Sequence, residues 1–164
     1  MSLLGELRFF LGLQISQQKN EIFISRSKYI KEMLKRFQME DCKPVSTPMV
    51  IGCRLSKYDI SPEVDQKLYR LIIGNLLYAT TSRPDVLHAV GLVRRYQVAP
   101  RENHLLAVKR IFRYLKGMTD FRLWYRKGHK LTLKAYTDVD WAGEIDDKKS
   151  TSGRALFLGE CLVA

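Results

Sequence analysis

Residues 102–117 read Glu-Asn-His-Leu-Leu-Ala-Val-Lys-Arg-Ile-Phe-Arg-Tyr-Leu-Lys-Gly, and the spacing within them decides how the middle of the chain folds. Leu105, Val108, Ile111, Phe112 and Leu115 recur at intervals of three and four, the signature of one buried helical face. Gly117 is placed to stop the helix. Lys109, Arg110, Arg113 and Lys116 fill a second, basic face. Working back toward the N-terminus, Tyr69, Ile72, Ile73, Leu76 and Leu77 form another helical stripe, with Ser61-Pro62 as its expected entry. Between these two, Ser82-Arg83-Pro84-Asp85 reads as a helix start, with Ser82 as cap and Asp85 completing a capping box. Val86, Leu87, Val90 and Val93 are its inward set. Packing accounts for all three stripes without a cofactor.

Farther upstream, Asp41 to Pro62 carries Pro44, Pro48, Gly52 and Pro62 at short intervals and reads as a connection. Before it, Arg26 to Met39 is predicted helical, capped by Ser25, with Tyr29, Ile30, Met33, Leu34 and Phe37 inward. Arg26, Lys28, Lys31, Lys35 and Arg36 crowd the rest of that helix, a face that could ride along phosphates or simply stay solvated. The first segment, Leu7 to Ile15 and Glu21 to Ser25 about a polar turn at 17–20, reads as a β-hairpin. Downstream of Gly117 the period changes: Phe121 to Tyr125, Leu131 to Ala135 and Gly153 to Leu158 read as strands, with a loop over 143–152.

Charge supplies the next inference. Lys and Arg number 28 against 17 Asp and Glu, a net charge of +11, which points to a polyanionic partner, nucleic acid being the commonest. The plainer reading is a soluble protein that is merely basic. Cys42, Cys53 and Cys161 are odd in number and form no C-x-x-C pair, so neither a disulfide framework nor a zinc knuckle is expected. No basic-plus-apolar leader opens the chain and no apolar run reaches membrane-spanning length. The expectation is a soluble intracellular protein, in cytoplasm or nucleus, without a membrane partner.

The strongest chemical constellation is Ala135-Tyr136-Thr137-Asp138-Val139-Asp140-Trp141-Ala142-Gly143. A carboxylate at the end of a strand can anchor Mg²⁺, a cation that prefers hard oxygen ligands. Asp138 is the first candidate and Asp140, two residues on and on the same strand face, the second. A two-metal phosphodiesterase needs several carboxylates around its ions, however, and on the local sequence alone an ordinary acidic turn after a strand is the plainer reading. Glu144, Asp146 and Asp147 read as solvated loop charge, and His88, His104 and His129 as structural histidines.

These stretches, taken in order, resemble one family. Leu4-Gly5-Glu6-Leu7-Arg8-Phe9-Phe10-Leu11-Gly12-Leu13-Gln14-Ile15 looks like the segment near the end of the copia-type reverse transcriptase palm, similar to the hairpin that grips the primer strand. The match continues through Ser27-Lys28-Tyr29-Ile30, Cys42-Lys43-Pro44-Val45-Ser46-Thr47-Pro48, Tyr69 to Tyr78, Thr81-Ser82-Arg83-Pro84-Asp85 and Ala107 to Gly117. Tyr136 to Gly143, with Lys149-Ser150-Thr151-Ser152-Gly153, resembles the opening of the family's RNase H.

The resemblance implies an α+β chain in three parts. Residues 1–48 would be the end of the reverse transcriptase, a primer-grip-like β-hairpin and thumb-like helix. A helical connection region would follow over 49–119, then the first strands of an incomplete RNase H-like sheet over 120–164. Asp138 would be an RNase H carboxylate, with Mg²⁺ as cofactor of the intact enzyme but no tight site in this chain. The partners implied are an RNA–DNA or DNA duplex, held by Lys28, Lys31, Lys35, Arg36, Lys109, Arg110, Arg113 and Lys116, and the rest of a Pol polyprotein. The family's Tyr-x-Asp-Asp pair does not occur in this sequence, and the later RNase H carboxylates would lie beyond Ala164, so no catalysis by the chain alone is expected. A nucleic-acid-binding or interaction module retained by a host is the rival reading, and a remnant without function the third.

Overall fold

The computed structural model of the chain describes residues 7–126, 128, 132–140, 146 and 151–163. The expected first strand over Leu7 to Ile15 is two strands, β1 (Phe9–Phe10) and β2 (Leu13–Gln18), folded back on each other with Phe10 opposite Leu13. Leu11 and Gly12 form the turn with φ of 48° and 76°. Positive φ at both central residues suits a two-residue hairpin, but the first is a leucine, which pays a steric penalty there. Alternation of apolar residues carried no sign of that bend; only Gly12 hinted at it.

The second strand then pairs with β3 (Glu21–Ser25), Gln14 standing opposite Ser25. Because Ser25 is the last residue of this strand, it does not cap the next helix, contrary to expectation. Helix α1 (Ser27–Arg36) starts after Arg26 with no side-chain cap from that residue. Gln14 supplies one instead, its Oε1 accepting from the Lys28 amide at 3.0 Å. The helix ends three residues before the predicted Met39. Gln38 takes the left-handed conformation (φ 57°), and the amides of Gln38 and Met39 donate to the carbonyls of Lys35 and Leu34, a Schellman ending.

Helix α2 (Gln66–Thr80) is capped by Asp65, whose carboxylate accepts from the Lys67 amide at 2.8 Å. Ser61-Pro62 serves a different helix from the one expected. The Pro62 carbonyl and the Ser61 hydroxyl accept from the amides of Glu102 and Asn103, the first donors of α4 (Glu102–Gly117). The predicted capping box at Ser82–Asp85 is likewise absent: a single 3₁₀ turn over Pro84–Val86 leads into α3 (Leu87–Val93). Ser82 turns its hydroxyl back to the Ala79 carbonyl, and Asp85 is engaged elsewhere. The 3₁₀ turn also shifts the helical phase, so Leu87 is exposed and Ala89 takes its inward place.

Ile30, Met33 and Leu34 of α1 pack with Tyr69, Ile72, Ile73 and Leu76 of α2, Val90 and Val93 of α3, and Val108, Ile111, Phe112 and Leu115 of α4 in one apolar cluster. Most of the predicted inward residues belong to it. Strand β4 (Leu123–Arg126) returns to the N-terminal sheet, pairing with β3 through Phe23 opposite Trp124, so the sheet order is β1-β2-β3-β4. A second antiparallel sheet holds β5 (Leu133–Asp140), β6 (Thr151–Leu158) and β7 (Cys161–Leu162). Helices and antiparallel sheets together make the α+β architecture expected. Among the described residues no helix is long and apolar enough to cross a membrane.

Candidate nucleic-acid interface

The two basic helical faces meet different fates. On α1, Lys28, Lys31, Lys35 and Arg36 are all exposed. Lys28 stands 3.9 Å from Glu32 and Lys31 3.9 Å from Asp120, both pairs well hydrated, and such pairs are worth about 0–1 kcal/mol. These cations can therefore trade a carboxylate for a phosphate at little cost. On α4, three of the four predicted cations hold the chain's own 40–47 segment. Arg113 Nε donates to the Lys43 carbonyl at 2.7 Å, and Lys116 Nζ donates to the Glu40 carbonyl. Arg110 Nη2 donates to Thr47 Oγ1 at 2.8 Å, while its Nε is buried without a partner among the described residues. The breaker-rich stretch over 40–47 is thus strapped along α4, and of that set Lys109 alone is exposed, the other three being half-buried.

Two further arginines, which sequence reasoning passed over, come together on the N-terminal sheet. Arg8 and Arg122 line a cavity of about 430 Å³ with Phe9, Gln14, Ile15 and Phe23. Because β4 returns to β3, Arg122 arrives beside the hairpin more than a hundred residues downstream of Arg8. Lys31 reaches Asp120, two residues before Arg122, so the basic face of α1 and the arginine-lined cavity meet at the 120–122 segment.

Two other arginines hold the fold in place, and one of them, Arg26, is not on the solvated basic face where the sequence reading put it. Arg26 is buried; its Nη1 donates to the Tyr78 carbonyl at 3.1 Å and its Nη2 to the Leu11 carbonyl at 3.3 Å, with its guanidinium 3.8 Å over the Tyr78 ring. The Tyr78 hydroxyl also donates to the Leu11 carbonyl, at 2.8 Å. A Cβ at Gly12 would lie 2.5 Å from that hydroxyl, so the hairpin tip is seated on α2 through a backbone that only glycine fits. Arg83 is buried too, and forks onto Asp85 with Nε–Oδ1 at 2.9 Å and Nη2–Oδ2 at 2.7 Å. Its Nη1 donates to the Met118 carbonyl, and the Tyr114 hydroxyl donates to Asp85. Burial, then the Asp85 carboxylate, raises the Tyr114 hydroxyl above its ordinary range.

His104 is fully buried, stacked on Tyr96 with ring centroids 4.0 Å apart. Its Nδ1 accepts from the Arg101 amide at 3.0 Å, which leaves Nε2–H to donate to the Ser56 carbonyl at 2.9 Å. Burial lowers its pKa, keeping the ring neutral. The structural reading of this histidine agrees with the geometry. Asp146 departs from its expected solvated role: its carboxylate accepts from Ser56 Oγ and the Lys57 amide, both at 2.6 Å.

Asp138 lies exposed on β5, opposite Gly153, and the backbone of Asp140 lies opposite Thr151. Trp141 to Gly143, Glu144, Asp147, Lys149, Ser150 and His129 lie outside the described residues, as do Leu4 to Glu6. Among the described residues no three His, Cys, Asp or Glu side chains gather where a metal ion could sit. Asp138 by itself does not make the multi-carboxylate cage that two-metal chemistry requires.

Comparison with known proteins adds the family. Residues 1–51, which contain the hairpin and α1, match the family described as reverse transcriptase (RNA-dependent DNA polymerase). The chain is 40% identical over 154 residues to the retrovirus-related Pol polyprotein from transposon RE1 of Arabidopsis thaliana, covering 94% of this chain and 10% of that protein. It is 40% identical over 159 residues to the corresponding polyprotein from transposon TNT 1-94 of Nicotiana tabacum, covering 92% and 12%. An uncharacterized mitochondrial protein of Arabidopsis thaliana is 36% identical over 156 residues, covering 95% and 65%. No solved structure matches. The chain spans about a tenth of the length of the transposon polyproteins it resembles. With the block order of its motifs, the reverse transcriptase match over its first part and these polyprotein relatives over nearly all of it, the chain belongs to the copia-type retrotransposon Pol polyprotein family.

Proposed function

We propose that this chain is the template–primer-handling segment of a reverse transcriptase–RNase H polyprotein, holding an RNA–DNA or DNA duplex by its phosphates and catalysing nothing alone. The observation that carries the reading is the meeting of α1's exposed lysines, Lys28, Lys31 and Lys35, with the Arg8- and Arg122-lined cavity at the 120–122 segment. Contacts of that kind grip a duplex with little sequence preference. The division into 1–48, 49–119 and 120–164 is proposed on the same footing, with Asp138 as one carboxylate of an RNase H-like site whose other carboxylates and Mg²⁺ belong to the larger enzyme.

Filter binding of a short RNA–DNA hybrid at a series of salt concentrations tests this. Retention should fall steeply with salt, and the triple variant Lys28→Gln, Lys31→Gln, Lys35→Gln should flatten the log–log slope by about 2–3. Equal, negligible retention at low and high salt would remove the proposal. Primer extension or hybrid cleavage by the purified chain, abolished by Asp138→Ala, would overturn the claim that it is inert alone.

A further inference from the structure

A second concavity lies away from the hairpin, where the C-terminal end of α1 meets α2 and α4. Phe37, Met39, Leu68, Ile72, Leu105 and Phe112 make its floor, and Arg36 and Lys109 stand on it from different helices; its volume is about 340 Å³. Leu68 is 42% exposed at the groove itself, and Leu71 and Leu106 extend the apolar surface of α2 and α4 beyond it. Among the described residues neither Arg36 nor Lys109 is in an ion pair, and Arg36 lies 5.8 Å over the Phe37 ring. The Arg36 head group is therefore held beside the apolar floor with its fork open.

We propose that this groove docks an acidic amphipathic helix, which seats apolar side chains on the Phe37–Leu68–Leu105 floor and carboxylates on Arg36 and Lys109. An apolar floor under two free cations is complementary to a helix with an apolar stripe flanked by Glu or Asp, the helix-in-groove mode of recognition. Arginine can take a carboxylate bidentately, while the lysine acts as a point charge on the other side. A nucleic-acid backbone matches the cations but leaves the floor against water, because its phosphates and sugars carry no apolar stripe. The groove thus selects an acidic amphipathic peptide, which takes Arg36 and Lys109 and leaves Lys28, Lys31 and Lys35 to the duplex.

The probe is a synthetic helical peptide with Leu and Phe four residues apart and Glu at the flanking positions, titrated into the labelled full chain while amide resonances are followed. Saturable shifts at Leu68, Ile72, Leu105 and Lys109 are expected. Binding should weaken about tenfold or more when the peptide's Glu residues become Lys, and the preference should reverse in an Arg36→Glu, Lys109→Glu variant. Leu68→Lys, at an exposed position, should abolish binding while the dispersed spectrum of the folded chain persists. Equal affinity for the acidic and basic peptides, no binding, or shifts mapping to the hairpin would each overturn the proposal. So would shifts of the same groove amides on adding an RNA–DNA hybrid without any response to the peptide. Concentration-dependent self-association through these residues would replace the peptide by a second copy and equally refute it.

Discussion

Helices α1 and α4 carry the same signature in sequence: an apolar stripe facing the core and four cations on the remainder. In the fold they differ in what those cations meet. Those of α1 lie open to solvent apart from two loose surface pairs. Three of those on α4 are donors to the chain's own 40–47 segment. The difference shows that a basic helical face is a statement about hydrogen-bond donors and says nothing about who accepts. A Pro-rich segment supplies carbonyls with no helix or sheet to satisfy them, and a nearby row of Arg and Lys is a natural taker.

The contrast can be broken from the α4 side first, where the largest effects are expected. Arg83→Met removes the buried fork on Asp85 and the donor to Met118, leaving a carboxylate beside Tyr114 without its cation. Equilibrium urea unfolding should show a loss of about 3–5 kcal/mol, and a loss under about 1 kcal/mol would mean the clamp is incidental. Next, Arg110→Ala should cost about 1–3 kcal/mol, because it frees a half-buried acceptor in the strap over 40–47, and Arg113→Ala about 0.5–1.5 kcal/mol, because water can reach the exposed Lys43 carbonyl it releases. If both variants unfold like the parent, α4 is a free basic face after all and the comparison with α1 collapses.

A smaller effect is expected from pH at the head of α4. Since the folded pKa of His104 lies below its ordinary 6.5, chiefly through burial, the unfolded chain binds the proton first. The neutral ring therefore contributes stability that is complete above about pH 6.5 and is lost as pH falls through the lower folded value. Unfolding midpoints should drop over that window, and His104→Gln should remove that component of the slope. The smallest effect belongs to α1: the Lys28, Lys31, Lys35→Gln triple should leave stability within about 0.5 kcal/mol while lowering duplex affinity. A large loss of stability would show that these lysines, like the cations on α4, serve the fold.

Much of the secondary structure was legible because it is written in short-range periods. The stripes at Ile30–Leu34, Tyr69–Leu76 and Val108–Leu115 predicted three core faces that the cluster contains. Where the period reading failed, a local conformational event intervened. The Leu11-Gly12 turn split one expected strand into two, and the 3₁₀ turn at Pro84–Val86 moved Leu87 out and Ala89 in. Capping residues misled for a related reason: Ser25, Ser61 and Ser82 have the right chemistry for caps, but their hydroxyls are only as useful as the strand or helix end that presents them. Of the candidate interface, the helical cations were legible but their availability was not, and the Arg8–Arg122 cavity was not legible at all, because it exists only once β4 has paired with β3.

By itself the sequence determined the helical faces, the basic balance and, through the order of its motifs, the family, since each of these is a property of neighbours along the chain. Tertiary structure alone decided that Arg113 answers to Lys43 across 70 residues and Arg26 to Tyr78 across 52. It also brought β4 back to β3, setting Arg122 near Arg8. Such pairings leave no period and no spacing behind them. They arise when buried polar groups must find partners wherever the packed core happens to place them.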